Sequence, residues 1–274
     1  MKSSIVAFFL TLSIYGLALN PSRTYKQRPD RYNIKYKEIV IKSNDGKADI
    51  KLWYFPSVNE SDKLMIIAHN GEGNMANYLR RVDRFKRIGY SVVTFDYRGY
   101  GESSEFEINP DMYIYPQFTD DLISVMDYCK KNFQATFDLY GWGIGAGLAA
   151  GVGCNRTDIK RIIADTPFLS LGDLEQRFDQ QKQWKEVPER GYDPMFEPIT
   201  SIKQASGENL KGILLIIGSN DVLFNSKDME KLRSQNRKLV WPIRVIENPS
   251  RMDNFKANKE KYFVTIAGFL DDTK

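Results

Sequence analysis

The sequence predicts an α/β domain: a mostly parallel central sheet covered by helices on both faces, with a small cap inserted late in the chain. Three observations predict it. Short continuous apolar runs recur along the chain, as strands buried on both faces require. Segments with helical spacing separate those runs. An alternating β-hairpin precedes the first of them, so that repeated β-α units build onto an antiparallel start.

The hairpin comes first. Tyr36 to Ile41 and Ala48 to Phe55 alternate around Asn44-Asp45-Gly46, a strong turn signal. Leu64 to Ala68 is a buried strand, and Ala76 to Ile88 has helical spacing through Leu79, Val82, Phe85 and Ile88, closed by Gly89. The alternation continues with a strand at Ser91 to Phe95, a helix at Phe118 to Asn132 and a strand at Phe137 to Tyr140. A helix at Ile144 to Gly153 and a strand at Arg161 to Ala164 follow. The polar stretch 169–207, broken by Pro188, Pro194 and Pro198, is too long for an ordinary connection and reads as a cap or lid insertion. Alternation returns with a strand at Ile213 to Ile217, a helix at Lys227 to Ser234, a strand at Ile243 to Ile246 and a last helix over Asn254 to Leu270. The domain is expected to span 36–270.

Composition bounds what this domain can do. An apolar share of 42% and an aromatic share of 13% over 274 residues suit one large core. The formal charge of +4, set against 39 basic and 35 acidic residues, gives no argument for nucleic acid, and no finger, recognition-helix or stacking motif adds one. Cys129 and Cys154 fall in separate helical segments and make no disulfide framework. No Cys/His cluster suggests a metal, and no motif calls for a cofactor. The count that decides most is the single histidine, His69, which excludes any mechanism needing a histidine elsewhere.

Residues 1–19 read as a targeting segment. Met1-Lys2-Ser3-Ser4 precedes an apolar run from Ile5 to Leu19, with Gly16 and Ala18 near a cleavage point for a signal peptide. As a retained anchor the run is slightly short of the roughly 20 residues a bilayer needs. Arg23, Lys26, Arg28 and Arg31 make the far side more basic than the start, which favours keeping that side cytoplasmic. Export or membrane association is the expectation, with the side of the membrane open.

Six local sequences then stand in order. His69-Asn70-Gly71-Glu72-Gly73-Asn74 ends the first buried strand, and Phe95-Asp96-Tyr97-Arg98-Gly99-Tyr100-Gly101-Glu102-Ser103 ends the next. Gly141-Trp142-Gly143-Ile144-Gly145 opens a helix, and Asp165-Thr166-Pro167-Phe168 leads into the insertion. Gly218-Ser219-Asn220-Asp221 and Pro249-Ser250-Arg251-Met252-Asp253 follow the last two strands. Together they resemble the motifs of the α/β-hydrolase superfamily, especially its serine-aminopeptidase-like branch, over roughly Tyr36 to Leu270. The resemblance makes 69–74 the His-Gly loop, with Asn70 in place of the usual glycine. It makes 141–145 the G-x-S-x-G elbow, 218–221 the acid loop and 249–253 the histidine loop.

That chemistry needs a nucleophile, a histidine to take its proton and a carboxylate to orient the histidine, in the order Ser, Asp, His. The nucleophile position holds Gly143, which has no group to acylate. The histidine position holds Arg251, whose guanidinium stays protonated and cannot act as a base. Asp221 remains, and an ion pair with Arg251 is one way to satisfy it; a solvated Asp221 beside an unrelated arginine is the other. The triad positions Gly143, Asp221 and Arg251 are therefore degenerate. His69 reads as a structural residue of the His-Gly loop, and Ser103, Ser104 and Ser219 as turn hydroxyls.

Backbone N–H groups survive side-chain loss, so an oxyanion hole formed by Ile144 and Gly71 is expected to persist, with Trp142 lining it or filling core space. The ligand-binding set predicted is Gly71, Ile144 and Trp142, for a small carbonyl- or carboxylate-bearing ligand. The expectation for function is a non-catalytic binding protein near a membrane. A hydrolase of esters, amides or lipids with an unorthodox nucleophile is the alternative. The charged, aromatic sequence within 169–207 is a further expected docking surface for a protein partner, or simply a solvated amphipathic helix.

Overall fold

The computed structural model describes residues 19–59, 61–134, 136–182, 185–221, 223–248 and 253–274. Eight strands form one sheet: β1 (Lys37–Lys42), β2 (Asp49–Phe55), β3 (Leu64–Ala68), β4 (Ser91–Phe95), β5 (Phe137–Trp142), β6 (Ile159–Asp165), β7 (Gly212–Gly218) and β8 (Arg244–Ile246). Their order across the sheet is β1-β2-β4-β3-β5-β6-β7-β8. β2 runs antiparallel to both β1 and β4, and every other pairing is parallel. The hairpin closes at Gly46, whose φ of 71° is the left-handed conformation that glycine supplies without strain.

Helices cover both faces. α1 (Leu79–Arg87) lies on one face, joined there near the C-terminus by α7 (Asn254–Ala257) and α8 (Lys259–Asp272). The opposite face carries α2 (Gln117–Asn132), α3 (Ile144–Gly153), α4 (Leu171–Gln180), α5 (Pro198–Gln204) and α6 (Ser226–Gln235). β3, β4 and β7 are buried along their whole length, which is why they read as unbroken apolar runs.

Four expectations need revision. The helix predicted from Ala76 opens with a 3-10 turn, Met75–Tyr78, because the Asn74 side chain caps Ala76 N and tightens that turn. The last helix is two: Asn258 leaves helical geometry and its side chain accepts from Lys261 N, starting α8 afresh. The stretch 169–207 is not all lid. Ile202 of α5 is fully buried and Ser201 Oγ donates to Gly151 O at 2.8 Å, so α5 belongs to the helical layer over α3. Finally, packing onto the domain reaches back beyond Tyr36 at least as far as Leu19: Leu19 is 1% exposed, and Tyr25 donates to Asp96 Oδ2 at 2.6 Å.

Candidate functional site

The site region lies at the C-terminal ends of β3, β5, β6 and β7. Gly143 sits between β5 and α3 with φ 58° and ψ −123°, the strained strand-to-helix turn that a nucleophile elbow requires. Its N–H donates to Asp165 O at 2.9 Å, and its carbonyl accepts from Ala146 and Gly147. Elbow geometry is thus kept without an elbow nucleophile. A Cβ added to Gly143 would stand 3.2 Å from Asn70 Cβ and 3.9 Å from Asn70 Cα, with no other heavy atom within 4 Å among the described residues apart from the flanking Trp142 and Ile144.

The loop after β3 is rebuilt relative to the expectation. The N–H of Gly71 donates to His69 Nδ1 at 3.1 Å, and the N–H of Asn70 donates to the Tyr78 hydroxyl at 3.0 Å. Gly71 is also covered. Its φ is 83°, and a Cβ there would lie 2.7 Å from Leu19 Cδ2 and 2.9 Å from Ile144 Cδ1. The predicted role of Gly71 as an oxyanion donor is therefore corrected: its N–H is committed to His69 and its open side is filled by Leu19. The N–H of Ile144, the first residue of α3, has no acceptor within the helix. Trp142 and Gly143 are half-buried and Ile144 is buried.

Leu19 is held there by a strap. Asn20–Pro21 pairs in parallel with Glu72–Gly73, through Asn20 N to Gly71 O at 2.9 Å and Ser22 N to Gly73 O at 2.8 Å. Asn74 Nδ2 donates to Ser22 O and Thr24 O, and Arg23 reaches Tyr100 O and Ser103 O. Residues 1–18, which carry most of the predicted targeting segment, lie outside the described residues. Among the described residues no helix is long and apolar enough to cross a membrane.

His69 is 1% exposed, with the Tyr97 and Tyr100 ring centroids 4.5 and 4.9 Å away. Burial pushes its pKa down to about 3, so the imidazole is neutral, with Nδ1 already accepting from Gly71. Ser103 Oγ is buried, donates to Asp96 O at 2.6 Å and accepts from Lys51 N; Ser104 Oγ accepts from Asp49 N, and Ser219 Oγ from Asn248 N. Each hydroxyl serves a turn or loop.

Asp221 is half-buried on the loop after β7, where its Oδ1 accepts from Leu223 N and Phe224 N, both at 2.9 Å. Burial raises its pKa, and those two N–H groups partly offset the rise. Arg251 and its expected pairing with Asp221 lie outside the described residues.

A buried polar chain beside the elbow was not legible as a unit. Arg81 pairs with Asp253 at 2.5 Å, both nearly inaccessible, and its Nε donates to Tyr140 at 2.9 Å. The Tyr140 hydroxyl meets that of Tyr262 at 2.8 Å, and Tyr262 donates to Asp165 Oδ2 at 2.7 Å. Asn254 Nδ2 reaches Asp165 Oδ1 at 2.7 Å, and Asn248 Nδ2 reaches Asn254 Oδ1 at 2.8 Å. The Arg81 guanidinium also lies 5.2 Å from the Trp142 ring and 4.6 Å from that of Phe255. These residues come from β5, β6, α1, α7, α8 and the loops after β8, so only folding assembles them. Desolvation lifts Asp165 to about pKa 7. Thr166, next to it, has φ 57°, strained for a β-branched residue.

A mostly parallel sheet in this strand order, with an elbow between its fifth strand and the helix that follows, is the α/β-hydrolase fold. Within it, residues 59–190 match the family model for serine aminopeptidase, S33. The chain is 31% identical over 186 residues to the lysophosphatidylserine lipase ABHD12 of Macaca fascicularis, a match covering 62% of this chain and 44% of that protein. It is 26% identical over 160 residues to an uncharacterized membrane protein of Saccharomyces cerevisiae, covering 58% of this chain and 55% of the other. The chain thus spans less than half the length of the lipases it matches. Among solved structures, the esterase Pf2001 of Pyrococcus furiosus superposes with a TM-score of 0.71 at 21% identity, covering 92% of this chain and 96% of that one. The α/β-hydrolase GrgF from Penicillium sp. gives 0.63 at 14% identity, covering 88% and 99%. At these identities the likeness shows the fold alone.

Proposed function

We propose that this chain is a non-catalytic α/β-hydrolase-like protein that binds an acyl or carbonyl-bearing ligand at the elbow, close to a membrane. The observation that carries the reading is Gly143: the elbow backbone is intact and has no side chain. Two facts support it. The only histidine in the sequence is buried, neutral and hydrogen-bonded within its own loop. The serines near the strand ends hold turns and loops. Membrane proximity draws on the apolar run before Leu19 and on the relative from yeast described as a membrane protein.

A second reading, hydrolysis of a lipid ester through an unorthodox nucleophile, draws on the relatives named as lysophosphatidylserine lipases. The two readings separate on one experiment. Labelling with a serine-reactive fluorophosphonate and turnover of short and long acyl esters should both stay at the background of a heat-denatured control. For turnover the limit is wider than that control: it extends to the residual catalysis of about 10³–10⁴-fold over water that an oxyanion hole and binding alone sustain in triad-less sites. Specific labelling, or turnover well beyond that, overturns the non-catalytic reading and favours the second.

A further inference from the structure

Asn70 is 7% exposed and carries a buried amino group, Nδ2, with no partner among the described residues. Its orientation is set on the other side. Oδ1 accepts from the Tyr78 hydroxyl at 3.0 Å and from Glu72 N at 3.4 Å, and the Tyr78 hydroxyl in turn accepts from Asn70 N. Turning the amide over would set Nδ2 against the Glu72 N–H, donor to donor, so the amino group stays on the face away from both.

What borders that side chain is the place over Gly143 where a Cβ would stand. A Cβ at Gly143 would meet Asn70 Cβ at 3.2 Å and, its flanking residues Trp142 and Ile144 aside, no described residue but Asn70 within 4 Å. The neighbouring N–H of Ile144 starts a helix of 10 residues and has no acceptor within it. The donor expected opposite it, Gly71 N–H, is spent on His69. One donor of the expected pair is therefore engaged elsewhere, and an amide side chain stands where the resemblance implies a glycine. A buried N–H group without an acceptor costs free energy that an incoming oxygen would recover. Trp142 and Gly143 are half-exposed, which gives access from solvent, and the Leu19, Ile144 and Trp142 side chains nearby are apolar.

We infer that Asn70 Nδ2 and Ile144 N–H form a rebuilt acceptor site over Gly143 that takes the acyl oxygen of a medium- or long-chain acyl compound, the space freed by the missing hydroxymethyl group admitting that oxygen. This assignment rests on the reading of the elbow as a binding site, and it makes Asn70, not Gly71, the residue that selects for an acyl group. A neutral amide or ester carbonyl and a free carboxylate share this acceptor chemistry.

Calorimetric titration of the full chain with octanamide, octanoate and octanol tests it. Octanamide, octanoate or both should bind about tenfold more tightly than octanol, the worth of one buried hydrogen bond, and the stronger of the two identifies the acyl form. Asn70→Asp keeps an acceptor toward Tyr78 and Glu72 N–H and replaces the amino donor with an oxygen, so it should abolish the preference while octanol binding stays. If octanol binds wild type as tightly as the acyl probes, or if folded Asn70→Asp retains the preference, the role of Asn70 is overturned and the elbow remains a binding site of another kind. If none of the three binds wild type, the acyl-binding reading itself falls. Should Asn70→Asp fail to fold, the ranking of the three probes on wild type decides alone.

Discussion

Asn70 and Gly143 face each other across the elbow, and the place a Cβ would take on Gly143 is 3.2 Å from Asn70 Cβ. Two residues 73 positions apart in sequence are thus neighbours at the elbow. An asparagine in the loop after β3 narrows the space in which a serine would have to stand, and a glycine in the elbow gives that space up.

Returning the serine should therefore destabilise the protein. Gly143→Ser places a side chain at φ 58° and against Asn70, and should cost about 1–3 kcal/mol in chemical denaturation. Adding Asn70→Gly should recover the part due to crowding. Ester turnover should stay at background in the single variant, because His69 is engaged by Gly71 and offers no base. An unchanged denaturation midpoint for Gly143→Ser would refute the strain argument.

Arg81 is surrounded by groups that need its charge. Replacing it with leucine leaves Asp253 buried without a cation, and the expected loss is about 3–5 kcal/mol. Tyr140→Phe removes only one hydroxyl from the same chain and should cost about 1–2 kcal/mol. Urea midpoints that rank the two variants the other way would show that the ion pair contributes less than the hydroxyl chain.

Two buried carboxyls set a pH dependence. Desolvation raises Asp96 and Asp165 from 3.8 to about 7, so in the window between those values the folded state holds protons that the unfolded chain has released. Their contribution to stability is complete below about pH 4 and is lost as pH rises through 7. The melting temperature should accordingly be higher at pH 5.5 than at pH 8. Asp165→Asn, which keeps the shape and removes the titration, should flatten part of that slope. A slope of opposite sign, or one that Asp165→Asn leaves untouched, would assign the pH dependence to other groups.

The strap should protect the loop beneath it. Leu19→Ala opens a cavity over Gly71 and Ile144 and should cost about 2–4 kcal/mol. Hydrogen exchange should quicken at the Asn20 and Ser22 amides, whose bonds to Gly71 O and Gly73 O join strap to loop. Exchange that is unaffected at these two sites would show that the backbone pairing stands without the leucine.

Local information carried much of this fold. β3, β4 and β7 were legible because strands buried on both faces need unbroken apolar runs, and α2, α3 and α6 lie within a residue of their expected bounds. The division of the last helix at Asn258 was not, since one cap hydrogen bond decides it and the apolar spacing runs through. Nor was the burial of Leu19, which has the composition of its apolar run and packs in the core of the domain. For the site, Gly143 and Asp221 were found at their expected strand ends, whereas Arg81, Asp165 and Tyr262 carried no local mark of the chain they form.

By itself the sequence determined that glycine stands at the elbow position and that its one histidine is at position 69, so these two positions lack the atoms that the serine and histidine roles of a Ser-His-Asp mechanism need. It also determined the order of strands and helices, since burial on one face or two imprints its period on the residues. Tertiary structure alone decided which N–H groups beside the elbow, of backbone and side chain, are left without a partner among the described residues. Hydrogen-bond partners are set by distances between loops far apart in sequence, and those distances spend Gly71 on His69, cover it with Leu19, and leave Asn70 and Ile144 beside the space over Gly143.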